Sequence, residues 1–93
     1  MKNVYVTIGN SDDKLTQSEW YEFCYQVNSN IRTHAKEIYG EFYSASKSRY
    51  QNACWSFAIT DNWDRALKEA LNVLREDFRQ DSVAWAEAEV EFI

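Results

Sequence analysis

A chain of 93 residues has room for one domain, and its composition excludes several classes of protein. The apolar fraction of 45% and the aromatic fraction of 16% supply enough large side chains for a core, which excludes a disordered chain. The net charge of −5 disfavours nucleic acid and favours a protein partner with a basic surface. We therefore predict a single domain over residues 1–93.

Neither the apolar runs nor the cysteines indicate a membrane or secreted protein. No run reaches the roughly eighteen apolar residues of a membrane helix. The two cysteines, Cys24 and Cys54, lie inside apolar segments and are too few for a disulfide framework, which predicts buried free thiols. We expect a cytoplasmic protein without membrane association.

The first third of the chain changes from the period of a strand to that of a helix. Residues 3–8 alternate between apolar and polar side chains, as a half-buried strand does. Thr16 and Glu19 fit a capping box, and apolar residues follow it at helical spacing. The pattern predicts a helix over residues 17–34.

The remaining segments predict three strands and a second helix. Residues 38–44 and 53–59 alternate around a polar loop, which is typical of a hairpin. Residues 62–80 carry an apolar stripe that includes Trp63, and residues 83–92 alternate again. The order βαββαβ predicts a ferredoxin-like α+β fold, with a four-stranded antiparallel sheet and both helices on one face.

Strict alternation assigns each strand residue to one face of this sheet. The alanines of the fourth strand are expected beneath a helix. The other residues expected to face the helices are Val4, Val6, Ile8, Phe42, Trp55, Phe57 and Ile59. Those expected on the uncovered face are Tyr5, Thr7, Tyr39, Glu41, Tyr43, Cys54, Ser56, Ala58, Trp85, Glu87 and Glu89.

Aromatic residues interleaved with carboxylates on that face favour a protein-binding surface. The candidate binding residues are Tyr5, Tyr39, Glu41, Tyr43, Trp85, Glu87 and Glu89. Two alternatives stay open: these aromatics only stabilise the sheet by cross-strand pairing, or the basic loop around Lys47 and Tyr50 is the functional surface.

Catalytic, metal-binding and cofactor-binding patterns are weak. His34 is the one histidine and stands near the end of the first helix, where a cationic side chain meets helix carbonyls, so we interpret it as structural. Nothing in the sequence brings a cysteine to it as a nucleophile. We expect no enzyme, no metal and no cofactor.

The first strand, residues 4–10, resembles the first-strand motif of the RNA-recognition domain, with Tyr5 in its base-stacking position. The third strand departs from that family, because Cys54 and Ser56 stand where the family presents stacking aromatics. RNA binding is therefore disfavoured.

Three longer segments carry a second resemblance: residues 6–15, 51–55 and 78–88. They resemble small uncharacterised proteins of actinobacteria and their phages, a family without an established activity. In size, acidity and α+β layout the chain is also similar to small phage anti-defence inhibitors of the anti-CRISPR kind. The sequence predicts a non-enzymatic protein-binding domain with an acidic, aromatic-bearing surface, and the last likeness implies an inhibitor from a phage or mobile element that binds a host defence or nucleic-acid enzyme. The alternative is a ferredoxin-like homodimer that encloses a small-molecule or catalytic pocket between its sheets.

Overall fold

The computed structural model describes residues 1–10, 14–89, 91 and 93, and its six elements follow the predicted order. The strands are β1 (Lys2–Gly9), β2 (Glu37–Tyr43), β3 (Asn52–Ile59) and β4 (Ala84–Ala88). The helices are α1 (Gln17–His34) and α2 (Asp61–Asp77). The predicted fourth strand was too long: β4 ends at Ala88, residues 89, 91 and 93 are not strand, and residues 90 and 92 lie outside the described residues.

The strands form one antiparallel sheet in the order β2-β3-β1-β4, the ferredoxin-like arrangement. Both helices pack on the same side: Asn28 of α1 reaches Trp55 of β3, and Asp64 of α2 reaches Lys2 of β1. The predicted fold is confirmed. In the described part of the chain, no helix is both long and apolar enough to cross a membrane.

The core forms between the two central strands and the helices. In the β1–β3 ladder Val4 pairs with Phe57 and Val6 with Trp55, and all four side chains have no exposed area. Directly paired residues of an antiparallel ladder share a face, so these four lie together beneath the helices. The helices add the buried residues Trp20, Phe23, Val27, Ile31, Leu67, Leu71 and Leu74.

The helix termini show one confirmed prediction and one error. The Thr16–Glu19 capping box is present, with Glu19 N–H donating to Thr16 Oγ1 at 3.2 Å and Thr16 N–H donating to Glu19 Oε1 at 3.1 Å. α2 ends at Asp77 and not at residue 80. Arg79 takes a left-handed φ of 57°, and Gln80 N–H donates to Arg75 O at 2.8 Å. This closure reverses the chain without the glycine that usually marks it.

A buried amide network joins the β1–α1 connection to the end of the β2–β3 loop. Asn10 Nδ2 donates to Leu15 O at 3.1 Å and to Gln51 Oε1 at 3.0 Å, while Leu15 N–H donates to Asn10 Oδ1 at 3.0 Å. Gln17 exchanges two amide hydrogen bonds with Gln51. Because the buried amides of Asn10 and Gln51 are well hydrogen-bonded, they hold the two connections together.

Phe57 provides a test of the core. Phe57→Ala leaves a cavity below both helices, so the free energy of unfolding should fall by about 3–5 kcal/mol in chemical denaturation. Tyr25→Ala, which truncates an exposed aromatic residue of α1, is the matched control and should change it by less than about 0.5 kcal/mol. A loss at Phe57 below about 1 kcal/mol would contradict the register of β3.

Candidate functional site

The sheet face opposite the helices, called the open face below, is built mainly of small residues. Within the described residues no helix packs on it. The ladders align Cys54 of β3 with Thr7 of β1, and Ser56 with Tyr5. β4 continues these rows with alanines. The open face consists of Asn3, Tyr5, Thr7, Glu37, Tyr39, Gly40, Phe42, Asn52, Cys54, Ser56, Ala58, Ala84, Ala86 and Ala88.

Three aromatic side chains stand on the open face. Tyr39 extends from β2 across β3, and its hydroxyl donates to Asn3 Oδ1 of β1 at 3.1 Å. Ala58, which lies between those two strands, has no exposed area. Tyr5, Tyr39 and Phe42 keep exposed fractions of 36%, 48% and 58%. They form an aromatic patch beside a flat row of small residues.

The assignment of Glu41, Tyr43 and Phe42 to faces was wrong. The β2–β3 ladder shifts register between Ile38 and Gly40, a β-bulge that reverses the alternation of the residues after it. Glu41 is therefore paired with Trp55 on the helix side, and Phe42 is paired with Cys54 on the open face. Gly40 was the available signal, because a glycine inside a strand often marks a bulge.

Contacts on the helix side confirm that the alternation of side chains in β2 is reversed after the bulge. Arg32 of α1 donates to Glu41 at 3.2 Å, and Tyr43 meets the Trp55 ring edge-on at 5.6 Å. Burial, with the nearby Glu41 carboxylate, raises the pKa of the Tyr43 hydroxyl. Glu41 and Tyr43 thus belong to the margin of the helix layer.

The prediction of which β4 residues face the helices was also wrong. Trp85 pairs with Val6 and Glu87 with Val4, so both lie on the helix side, while the alanines occupy the open face. Trp85 packs against the core through Phe57, and Lys68 Nζ of α2 lies 4.9 Å from its ring centre. Glu89 lies just beyond the end of β4. The predicted acidic, aromatic face is therefore divided between two sides of the sheet.

A charged cluster at the start of β1 includes Glu87, one of the carboxylates that were expected on the open face. Lys2 Nζ lies 2.8 Å from Asp64, 3.6 Å from Asp61 and 3.6 Å from Glu87. Hydrogen bonding to Lys2 lowers the pKa of Asp64, and the Asp64 hydrogen bond raises the pKa of Lys2. The indole N–H of Trp85, which donates to Glu87 at 3.0 Å, is the main cause of the lowered pKa of Glu87.

These shifts predict the acid sensitivity of the fold. Carboxylates with a lowered folded-state pKa stabilise the protein above their unfolded pKa, and this contribution is lost as the pH falls through the folded value. The free energy of unfolding should therefore decrease on acidification below pH 4.5, the unperturbed value for Glu87. Lys2→Met should make this decrease smaller, as measured by urea denaturation between pH 7 and about pH 3.

The control is Arg65→Met, which removes a cation whose pair with Glu69 is highly exposed. It should leave the acid dependence close to that of the wild type. An equal acid dependence in wild type and Lys2→Met would contradict the role of the cluster.

The two cysteines differ in environment, although both were predicted to be buried. Cys24 is 7% exposed in α1, and burial raises the pKa of its thiol to about 12. Cys54 lies partly exposed on the open face, 3.5 Å from the Thr7 hydroxyl. Both thiols are free. Cys54 is thus a natural chemical probe of the open face.

A thiol reagent at pH 8 should modify Cys54 in the folded protein and leave Cys24 unreacted, because only thiolates react and Cys24 stays protonated. Peptide mapping identifies the modified residue, and both thiols should react in denaturant. Faster modification of Cys24 would contradict the assigned packing of α1.

The other residues considered as functional candidates, His34 and the basic loop before β3, make contacts that stabilise the fold. His34 Nδ1 lies 2.7 Å from Asn30 O, and the ring contacts Trp63, which is 54% exposed and not within the core as its place in the helical stripe predicted. In the loop before β3, Arg49 lies over the Tyr50 ring at 5.6 Å. Among the described residues, no three His, Cys, Asp or Glu side chains are close enough to hold a metal ion.

Family models and curated proteins were both compared with the chain, and neither comparison found a match. Functional inference therefore depends on the surfaces described above.

Proposed function

We propose that this chain is a non-enzymatic protein-binding domain that uses the open face to bind its partner. The observation that carries the proposal is the aromatic patch of Tyr5, Tyr39 and Phe42 beside a flat row of alanines and other small residues. Aromatic side chains contribute most of the energy of protein interfaces, and small neighbours let a flat partner approach closely.

Phe42 is the strongest single indication of binding. Tyr39 has a hydrogen bond within the sheet, so part of its role is structural. Phe42 has no polar group to satisfy and still exposes 58% of its surface at the margin of the sheet. An exposed apolar side chain continuous with an uncharged surface is typical of an interaction site.

The charge distribution supports a partner with an apolar centre and a basic rim. Glu37 is the one formal charge among the open-face residues defined above, while the net charge of the chain is −5. Glu41 and Glu87 lie at opposite edges of the sheet, on its helix side. Each of these two acids contacts a cation of the same chain, so the centre of the face avoids a desolvation penalty and it is the net charge of −5 that attracts a basic protein over distance.

The same face offers little to RNA. On the two central strands Tyr5 is the one aromatic residue of the open face as defined above, and its neighbours on β3 are Cys54 and Ser56 in place of stacking aromatics. No Lys or Arg belongs to the open face as defined above, so phosphate groups would lack charged partners there. These features favour a protein partner.

The proposal predicts that the double variant Tyr5→Ser/Phe42→Ser loses partner binding. A partner captured from lysate of the source organism and then purified should bind this variant at least about 30-fold more weakly in calorimetric titration, as expected for two interface aromatics. Tyr25→Ser, which removes an exposed aromatic from α1, is the matched control and should bind normally.

Thiol modification supplies an independent measurement of the same surface. A bound partner should protect Cys54 from the reagent, and higher salt should slow association because the rim charges are screened. If a folded double variant binds every captured partner as the wild type does, the open face is not the binding surface.

A further inference from the structure

The two edge strands of the sheet differ in how well they are protected against pairing with another strand. Natural edge strands are usually blunted by bulges, proline, charged side chains or short length. β2 has a bulge between Ile38 and Gly40. β4 pairs with β1 in an unbroken register over five residues, Ala84–Ala88, and its one charged residue, Glu87, lies on the helix side in contact with Lys2 and Lys68. Among the described residues no strand pairs with its outer side, so backbone amides and carbonyls are available there.

β4 is self-complementary about Ala86. In an antiparallel two-fold pairing centred on this residue, Ala84 faces the partner's Ala88 and Ala86 faces its own copy. Only alanines then meet on the open-face side, so nothing bulky or charged opposes the contact. On the helix side Trp85 faces the partner's Glu87.

The charges beside this edge are also complementary. A cleft of about 330 Å³ lies between α2 and the residues entering β4, and its charged lining residues are the cations Lys68 and Arg75 and one carboxylate, Asp81. The same pairing places the partner's Glu89 opposite Val83, at this cleft, while Lys68 also lies 3.7 Å from Glu87 of its own chain. By symmetry each copy supplies Glu89 to the cations at the cleft of the other. This local attraction opposes the repulsion between two chains of net charge −5.

We propose that the chain forms a two-fold dimer through antiparallel pairing of β4 with β4 of a second copy. The backbone hydrogen bonds of the edges join the two sheets into one, and Glu89 of each copy lies at the cleft that Lys68 and Arg75 of the other line. The dimer carries two open faces on one side of a continuous sheet. This inference does not depend on the proposed function, because the edge of β4 and the open face are different surfaces.

A charge exchange between two variants tests the dimer. Light scattering over a concentration series should show dimers for the wild type. Arg75→Glu and Glu89→Lys each place like charges at both contacts, so each protein alone should dimerise about tenfold more weakly. In a 1:1 mixture of the two variants every contact joins opposite charges again, and dimerisation should recover.

Three results would overturn the dimer through β4. These are a wild type that stays monomeric at millimolar concentration, single variants that dimerise as the wild type does, or a mixture without recovery. Circular dichroism verifies folding of each variant. Arg75 also donates to Gln80 O at 3.1 Å, so Lys68→Glu replaces Arg75→Glu in the exchange if the latter fails to fold.

Cys54 separates this dimer from a face-to-face stack of two sheets. Dimerisation through β4 leaves the open face uncovered, so Cys54 should react equally fast at low and high protein concentration. Protection of Cys54 at high concentration would overturn edge pairing and would indicate that the open face binds a second copy. Unchanged reactivity together with loss of partner binding in Tyr5→Ser/Phe42→Ser would support both proposals separately.

Discussion

The pairing of β1 with β3 is the constraint on which the rest of the structure depends. Val4 opposite Phe57 and Val6 opposite Trp55 place four fully buried side chains on one face of the sheet. A shift of one residue in either strand would turn its apolar set to the other face. Both helices pack on this apolar surface, so the same pairing that forms the core leaves the opposite face uncovered by α1 and α2.

The bulge in β2 determines which side chains that free face presents. By reversing the alternation after Ile38, it moves Glu41 and Tyr43 to the helix side and brings Phe42 to the open face. A surface predicted to be aromatic and acidic becomes aromatic and nearly uncharged at its centre. This change favours an apolar docking surface on the partner.

The acidic residues instead stabilise contacts between elements that are distant in the chain. Lys2 of β1 joins Asp64 of α2 and Glu87 of β4, and Arg79 joins the end of α2 to Glu19 at the start of α1. The two edge strands of the sheet also differ, because β2 has a bulge and β4 pairs in a regular register. The edge of β4 therefore has both the free backbone groups and the adjacent charges that pairing with a second copy requires.

The sequence by itself determined the element order, the capping box of α1 and the buried faces of β1 and β3, because these follow from periodicity within one segment. The faces of β2 and β4 were decided only by the tertiary structure. The bulge in β2 is defined by its pairing with β3, and Gly40 was the one local sign of it. In β4 the alternation fits either face, and small alanine side chains favour the side beneath a helix. Glu87 lies on the helix side because Lys2 of β1 and Lys68 of α2 contact its carboxylate there. Trp85 lies on the same side because its indole packs against Phe57 of β3. These partners come from distant parts of the chain, so no local pattern predicts them.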